Sequence, residues 1–467
     1  MLFLCGMEGG KMRQESLNTK KSNQSIFYST LLKLAVPIVI QNLITSSINM
    51  VDTVMIGKIG EVEIAAVGIA NQYFFLFNLL IIGLTSGAGV FISQYWGKKD
   101  KENIRRILGF SLITSVIFSV LFTIVALLMP EKIMVLFNKD PYVIQLGVDY
   151  LKIVSISYIF TAISLVFGVS SRCVEDTVAP MLVSILALFT NATLNYIFIF
   201  GHLGFPAMGV KGAAIATLIA RIVEALVLVL YIYYKKGVLA AKWKQMVDIN
   251  KNFVQKTMHT VIPVVINDMF WAVASIIYSI SYGNLGTQAM AAVQITTTIQ
   301  NVFMVLSFGL ANGSAVMIGN KVGAGNIDEA QEYTKRFVKL SVLVGLFIGG
   351  LLAISATTVL SFFNVSKEVY TSALRILYIT SLIMAIKVLG VVIIVGILRG
   401  GGDATHALKV EALTMWLVGV PLALLGSFVF KFPVEVVVLM VGLEEVAKVA
   451  FSIRRLRNSD WIRQVTM

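Results

Sequence analysis

A carboxylate set in an oily stretch is the first residue that could do chemistry. Asp52 lies late in the apolar run 27–57, within Asn49-Met50-Val51-Asp52-Thr53. A charge at mid-membrane depth costs at least about 2.5–3.5 kcal/mol on insertion scales, so it needs a partner or a task. Farther along, Asn191 and Asn195 stand four residues apart, on one face of a helix, and Thr217 follows in the next apolar run. A carboxylate, two amide carbonyls and a hydroxyl form a hard-oxygen set able to bind a small cation such as Na+, or a proton through Asp52 alone. The same Asn and Thr side chains could equally be hydrogen-bond glue between helices.

A second group of polar residues lies in the later half. Asp268 comes five residues after Pro263, Trp271 stands one turn beyond it, and Lys387 interrupts the apolar run 369–398. Asp268 and Lys387 are expected to pair and, with Trp271, to serve substrate binding or coupling; the alternative is a static pair that only fixes packing. Arg221 with Glu224, and Glu444 and Glu445 with Lys448, have the spacing of structural charge pairs along a helix. Arg172 with Asp176, and Arg399 with Asp403, fall at expected helix ends, where capping and loop tethering are the simplest roles. His202, His259 and His406 form no ligand cluster, and Cys5 and Cys173 suggest neither a disulfide nor a metal site. No nucleophile–base pair, metal cluster or phosphate loop is apparent, so neither an enzyme nor a cofactor is expected.

The elements that must hold these groups are long apolar helices. Hydrophobic residues make up 57% of the 467 positions and charged residues 13%, against roughly 25% charged in soluble domains. Lipid suits such a chain, and runs of about 20 residues indicate helices rather than barrel strands. The runs are 27–57, 62–96, 104–129, 142–171, 178–200, 211–234, 258–282, 288–319, 336–360, 369–398, 407–428 and 433–453. The fold class expected is therefore an all-α polytopic membrane protein of about twelve spans. The stretch Met1–Gly10 is too short in its apolar part for a signal peptide; Met7 or Met12 is an alternative start.

Lys and Arg alternate by side. Lys98, Lys99, Lys101, Arg105 and Arg106 fill one loop, and Lys235, Lys236, Lys242, Lys244, Lys251 and Lys256 fill another. The opposite loops hold only scattered lysines such as Lys58, Lys132 and Lys211. This asymmetry predicts cytoplasmic termini and a cytoplasmic central linker in a plasma membrane protein. The formal charge of +13 is explained by that distribution, and nucleic acid is not an expected partner. The expected organisation is a tail at 1–26, a first lobe at 27–234, a linker at 235–257, a second lobe at 258–455 and a tail at 456–467.

The two lobes resemble each other. An offset of 226 pairs Pro37 with Pro263, Gly57 with Gly283, Gly60 with Gly286, Gly83 with Gly309, Gly87 with Gly313 and Gly97 with Gly323. Arg172…Asp176 answers Arg399…Asp403 with one more residue of displacement. Six spans per repeat is even, so both halves share one topology about an axis along the membrane normal. Two like six-helix bundles around a cleft suit alternating access, and point to transport.

The run Pro37…Asn49-Met50-Val51-Asp52-Thr53…Gly57…Gly60 and Ala65-Ala66-Val67 resembles the opening of multidrug and toxic compound extrusion (MATE) transporters. So do Asn191…Asn195…Gly201…Gly204-Phe205-Pro206…Gly209…Gly212-Ala213-Ala214…Ala216-Thr217 and the Leu398-Arg399-Gly400 turn. The resemblance covers about 27–455. It implies two six-helix lobes and antiport of small organic, often cationic, compounds against H+ or Na+, with Asp52, Asn191, Asn195 and Thr217 at the cation site. Beyond substrate and lipids, no obligate protein partner is evident. The tenth-span Asp of some members is absent, with Lys387 close by. The competing readings are a lipid-linked saccharide flippase of the same broad superfamily and a non-drug metabolite exporter.

Overall fold

Lipid offers the backbone no hydrogen bonds, so a chain this apolar must satisfy its amides within helices. The computed structural model describes the backbone of residues 2–363 and 365–466, and the side chains of these apart from 2–23 and 49. The side chains of most of the tail expected at 1–26 therefore lie outside the described residues. Among the described residues the regular structure is helical throughout.

Twelve long segments follow in order: α1 (Leu2–Gly57), α2 (Glu61–Gly97), α3 (Lys101–Leu128), α4 (Pro141–Val154 and Ser157–Cys173), α5 (Val178–Phe200) and α6 (Gly209–Lys235). The second half repeats the series as α7 (Lys251–Asn284), α8 (Thr287–Gly323), α9 (Ile327–Leu360), α10 (Lys367–Leu398), α11 (Ala404–Val429) and α12 (Val434–Arg457). Ten of the described segments are individually long and apolar enough to cross a membrane, and α4 makes an eleventh although it bends by 50° at its break. The remaining one, α12, has 24 residues, about 36 Å at 1.5 Å per residue; it is set apart by Glu444, Glu445 and Lys448 in its interior. Polar residues start several helices: Asp100 accepts from the Asn103 amide at 3.1 Å, Asp140 from Tyr142 at 2.8 Å with Pro141 in the first turn, and Asn250 from Phe253 at 2.8 Å.

The lobes meet through the leading helices of each repeat: α2 packs on α7 and α8, and α1 on α8. Three of the glycine pairs of the repeat, Gly83 with Gly309, Gly87 with Gly313 and Gly97 with Gly323, lie at this seam. Gly83 and Gly87 face Val265 and Val261 of α7, while Gly309 and Gly313 face Val39, Ala35 and Leu31 of α1. At the lysine-rich end the contact is reciprocal. A Cβ on Gly97 would overlap the Asn320 carbonyl of α8, and one on Gly323 would overlap the Gln94 carbonyl of α2. Only glycine lets two helix backbones approach so closely, so the repeat encodes an inter-lobe clamp as well as a fold.

The segment after α12, expected to be a tail, is docked across that same end. Trp461 is buried. The Gln94 side chain donates to the Arg463 carbonyl at 3.0 Å and accepts from the Val465 amide at 2.9 Å. Gln464 donates to the Val322 carbonyl at 3.2 Å, and the Arg463 amide donates to the Gly401 carbonyl at 2.7 Å. The segment thus straps α2 of one lobe to α8 and the α10–α11 turn of the other.

The second lobe also departs from regular helix. Val392–Leu398 in α10, and Met415–Gly419 and Leu425–Val429 in α11, are π-helical; the described first-lobe helices contain no such stretch. Wide turns of this kind are frequent at functional sites.

Candidate functional site

Three helices bring the sequence-predicted cation ligands together. Asp52 comes from α1, Asn191 and Asn195 from one face of α5, and Thr217 from α6. Asn195 is fully buried and Asn191 nearly so. The Asn195 amide donates to Asp52 Oδ1 and, at 3.2 Å, to Asn191 Oδ1. Asn191 in turn donates to Thr217 Oγ1 at 3.4 Å. A single carboxylate therefore ends a chain of neutral groups. Asn195 Oδ1 is buried with no hydrogen-bond partner among the described residues, and a stranded carbonyl of this kind costs about 1–3 kcal/mol. An uncapped oxygen beside a carboxylate suits a cation. Tyr150, which no sequence signal marked, is buried facing Asp52 and Thr217.

A second chain of contacts backs this site. Arg172 donates to Gln41 Oε1 at 2.6 Å, Gln41 donates to Ser184 Oγ at 3.1 Å, and Ser184 donates to Glu224 Oε1 at 3.4 Å. Arg221 closes the chain on Glu224 Oε2 at 2.7 Å, as the i, i+3 spacing predicted. Arg172 does not bind Asp176; Asp176 pairs instead with Lys235 at 2.8 Å. The physical reason is reach: Arg172 is turned into the lobe toward α1, while Asp176 sits past the helix end beside the last turn of α6.

In the second lobe the Asp268–Lys387 pair does not form. Asp268 Oδ1 takes Arg399 at 2.7 Å, with 16% and 6% of the two side chains exposed. Lys387 lies twelve residues before Arg399, about 18 Å along a helix, too far to share that carboxylate. It is within electrostatic reach of Glu445, Lys448 and Glu444 instead. Asp403, expected to cap a helix or tether a loop, binds Arg455 at 2.7 Å and lies 3.4 Å from Arg463, both in the segment at and after the end of α12.

Glu444 and Glu445 do pair with Lys448, at 3.2 and 3.3 Å. They belong to a larger assembly than the sequence indicated. Glu411 of α11 comes within 3.8 Å of the same ammonium. Asn267 of α7 donates to Glu411 Oε2 at 2.6 Å, and the Tyr278 hydroxyl donates to Glu444 Oε2 at 2.5 Å. The repeat offset of 226 places Asn267 opposite Gln41 and Tyr278 opposite Asp52, which is the signal that could have found both.

Trp271 is 47% exposed. With Ser275, Ile276, Ser279 and Ile280 of α7, and Phe75 of α2, it lines an open concavity of about 410 Å³ between the lobes. This face is apolar with scattered hydroxyls, the chemistry of a tolerant organic-ligand surface. Among the described residues no group of three or more His, Cys, Asp and Glu side chains is placed to hold a metal.

Comparison with known proteins agrees with this architecture. The MatE family model matches residues 37–197 and 263–425, two copies whose starts are separated by the 226-residue offset of the repeat. The chain is 25% identical over 407 residues to a probable multidrug resistance protein NorM of Thermotoga maritima, covering 84% of each. It is 23% identical over 452 residues to the uncharacterized transporter YisQ of Bacillus subtilis, covering 94% of this chain and 99% of that one. Among solved structures, an outward-facing multidrug resistance MATE transporter of the MOP superfamily superposes with a TM-score of 0.85 at 19% identity, over 93% of this chain and 96% of that one. A MOP-superfamily transporter of Pyrococcus furiosus, described as having a binding pocket of reversed polarity, superposes with a TM-score of 0.84 at 19% identity, over the same shares. With two family copies in register with its own repeat and the fold of solved MATE transporters, this multi-pass membrane protein belongs to the MATE family and is a transporter, not an enzyme.

Proposed function

We propose that the protein is a secondary active antiporter that exports small organic, often cationic, compounds in exchange for inward H+ or Na+. The observation that carries this reading is the Asp52–Asn195–Asn191–Thr217 chain, in which one membrane-embedded carboxylate meets an unpartnered buried carbonyl. Ion binding satisfies that oxygen and neutralises Asp52, removing part of the cost of holding a charge in lipid. Binding energy that differs between two lobe arrangements then biases the arrangement, which is all that coupling requires. The multidrug-resistance relatives and the apolar inter-lobe surface around Trp271 support an organic cargo.

The distribution of lysines and arginines favours a plasma membrane orientation with both termini in the cytoplasm. In that orientation the glycine clamp at Gly97 and Gly323 seals the cytoplasmic side, and the Trp271 surface faces outward between the lobes.

Efflux of a fluorescent cationic dye from proteoliposomes tests the proposal. A sodium gradient and a pH gradient are imposed separately on wild type and on Asp52→Asn. Wild type should move dye under at least one gradient, and Asp52→Asn should lose about tenfold or more of that flux, a factor equivalent to about 1.4 kcal/mol of lost coupling. Equal fluxes for the two proteins under both gradients would rule out the Asp52 site.

A further inference from the structure

The charge cluster of the second lobe has no assigned role, and its composition is unbalanced. Glu411, Glu444 and Glu445 are three carboxylates, whereas the cations facing them are Lys448 and Lys387. The Asp268–Arg399 pair nearby is neutral as a unit. Of the neighbouring polar groups, Asn267 donates to Glu411, Tyr278 donates to Glu444, and Tyr282 is within electrostatic reach of Glu444. With every carboxylate ionised, one negative charge is left over in a site where the Glu411, Glu444 and Lys448 side chains are no more than 12% exposed.

Two further features point to an exchangeable ligand. Asn267 is 3% exposed and already donates to Glu411, yet its Oδ1 has no hydrogen-bond partner among the described residues. Glu445 Oε2 likewise accepts no hydrogen bond, although Lys448 Nζ stands 3.3 Å away. The π-helical turn of α11 ends at Gly419, where a Cβ would overlap the Tyr278 hydroxyl and the Glu444 carboxylate. The local backbone is thus shaped to admit this pair of side chains.

We infer that the Glu444–Glu445 pair, held by Lys448 and Tyr278 between α7, α10, α11 and α12, is a second proton-exchange site in the lobe opposite Asp52. The centre already contains an ammonium, so a proton is the ligand rather than a metal cation. The step is simple: one carboxylate of the pair takes H+ from water to become a carboxylic acid, cancelling the surplus charge, and releases it in reverse. Neighbouring carboxylates against one ammonium titrate as a unit, so the proton belongs to the pair. Of the three carboxylates Glu445 is the most exposed, at 18% of its side chain. The use of this proton in transport rests on the antiporter reading; its existence does not.

Infrared difference spectroscopy of the full-length protein in lipid, titrated with acid, reads the protonated carboxyl stretch directly. Wild type should gain a carboxylic-acid band that persists in Asp52→Asn and is lost in the double variant Glu444→Gln/Glu445→Gln. Lys387→Met removes a cation facing the pair, so the same band should appear about one pH unit or more higher. A band unchanged in the Gln double variant, or one whose midpoint stays fixed in Lys387→Met, overturns the site. Should the double variant fail to fold, judged by its thermal melt, Lys387→Met decides alone. Loss of dye efflux is not needed for any of these outcomes, so failure of the Asp52 proposal is told apart from failure of this one.

Discussion

The two lobes share a backbone plan and use it for opposite electrostatics. In the first lobe Gln41 of α1 reaches Ser184 of α5, which reaches Glu224 of α6. In the second, Asn267 of α7 reaches Glu411 of α11, and Glu411 faces Lys448 of α12. Amide, hydroxyl, carboxylate has become amide, carboxylate, ammonium. Asp52, the isolated acid of the first lobe, is answered by Tyr278, a hydroxyl donor to Glu444. One lobe therefore holds a carboxylate hydrogen-bonded to neutral amides with the Arg221–Glu224 pair close by, and the other a crowded multi-charge cluster. Duplication fixed where polar side chains may enter the bilayer core, while divergence decided which charge each entry carries.

This contrast is most sharply tested by removing the cation of each lobe. Lys448→Met takes the ammonium from three carboxylates, leaving Glu411 only Asn267 and Glu444 only Tyr278, and should destabilise the protein by about 3–5 kcal/mol, the range for breaking a buried ion pair. Arg221→Met strands only Glu224, which keeps Ser184, so its loss should be clearly smaller. Thermal unfolding of both variants in the same detergent compares them, and equal losses would erase the proposed asymmetry.

The seam between the lobes offers the next test. Gly97→Val places a branched side chain against the Asn320 backbone, so the lysine-rich end can no longer close as tightly. Cysteine cross-linking between positions 94 and 465 should fall severalfold in that variant, because the Gln94–Val465 contact lies beside the clamp. Unchanged cross-linking would mean that the strap, not the glycine contact, holds the lobes together.

Smaller effects should follow from the matched amides. Asn267→Ala leaves Glu411 without its donor at a cost of about 1–3 kcal/mol. Gln41→Ala removes the acceptor of the buried Arg172 guanidinium as well as the Ser184 contact, and should cost a similar amount, about 1–3 kcal/mol. A loss in chemical denaturation well below about 1 kcal/mol for Gln41→Ala alone would show that the first-lobe chain carries less of the stability than the second-lobe cluster.

How much of this was legible in the sequence differs from residue to residue. Asp52, Asn191, Asn195 and Thr217 could be grouped because each interrupts an apolar run and the two amides share a helix face. Arg221–Glu224 and the Glu444, Glu445, Lys448 set follow from spacing within one helix. The neighbours of Lys387 are of the opposite kind: they come from another helix, and rotation and depth decide which carboxylate it faces. Glu411, near the start of α11, has no partner at helical spacing, and only its place opposite Ser184 in the repeat, displaced by one residue more than the 226 offset, marks it. The docked segment after α12 gave no warning, since Trp461 and Gln464 look like any polar-aromatic tail until α2, α8 and the α10–α11 turn come together beneath them.

The amino-acid order alone determined that this chain lives in lipid, that its spans are helical and that one six-helix plan occurs twice, because those are properties of composition, run length and period. Which carboxylate meets which cation was decided only by the tertiary structure. Salt bridges between helices depend on the depth and facing of each span, and the kink in α4, the π-helical turns of α10 and α11 and the glycine contacts at the seam set both in ways that no local spacing encodes.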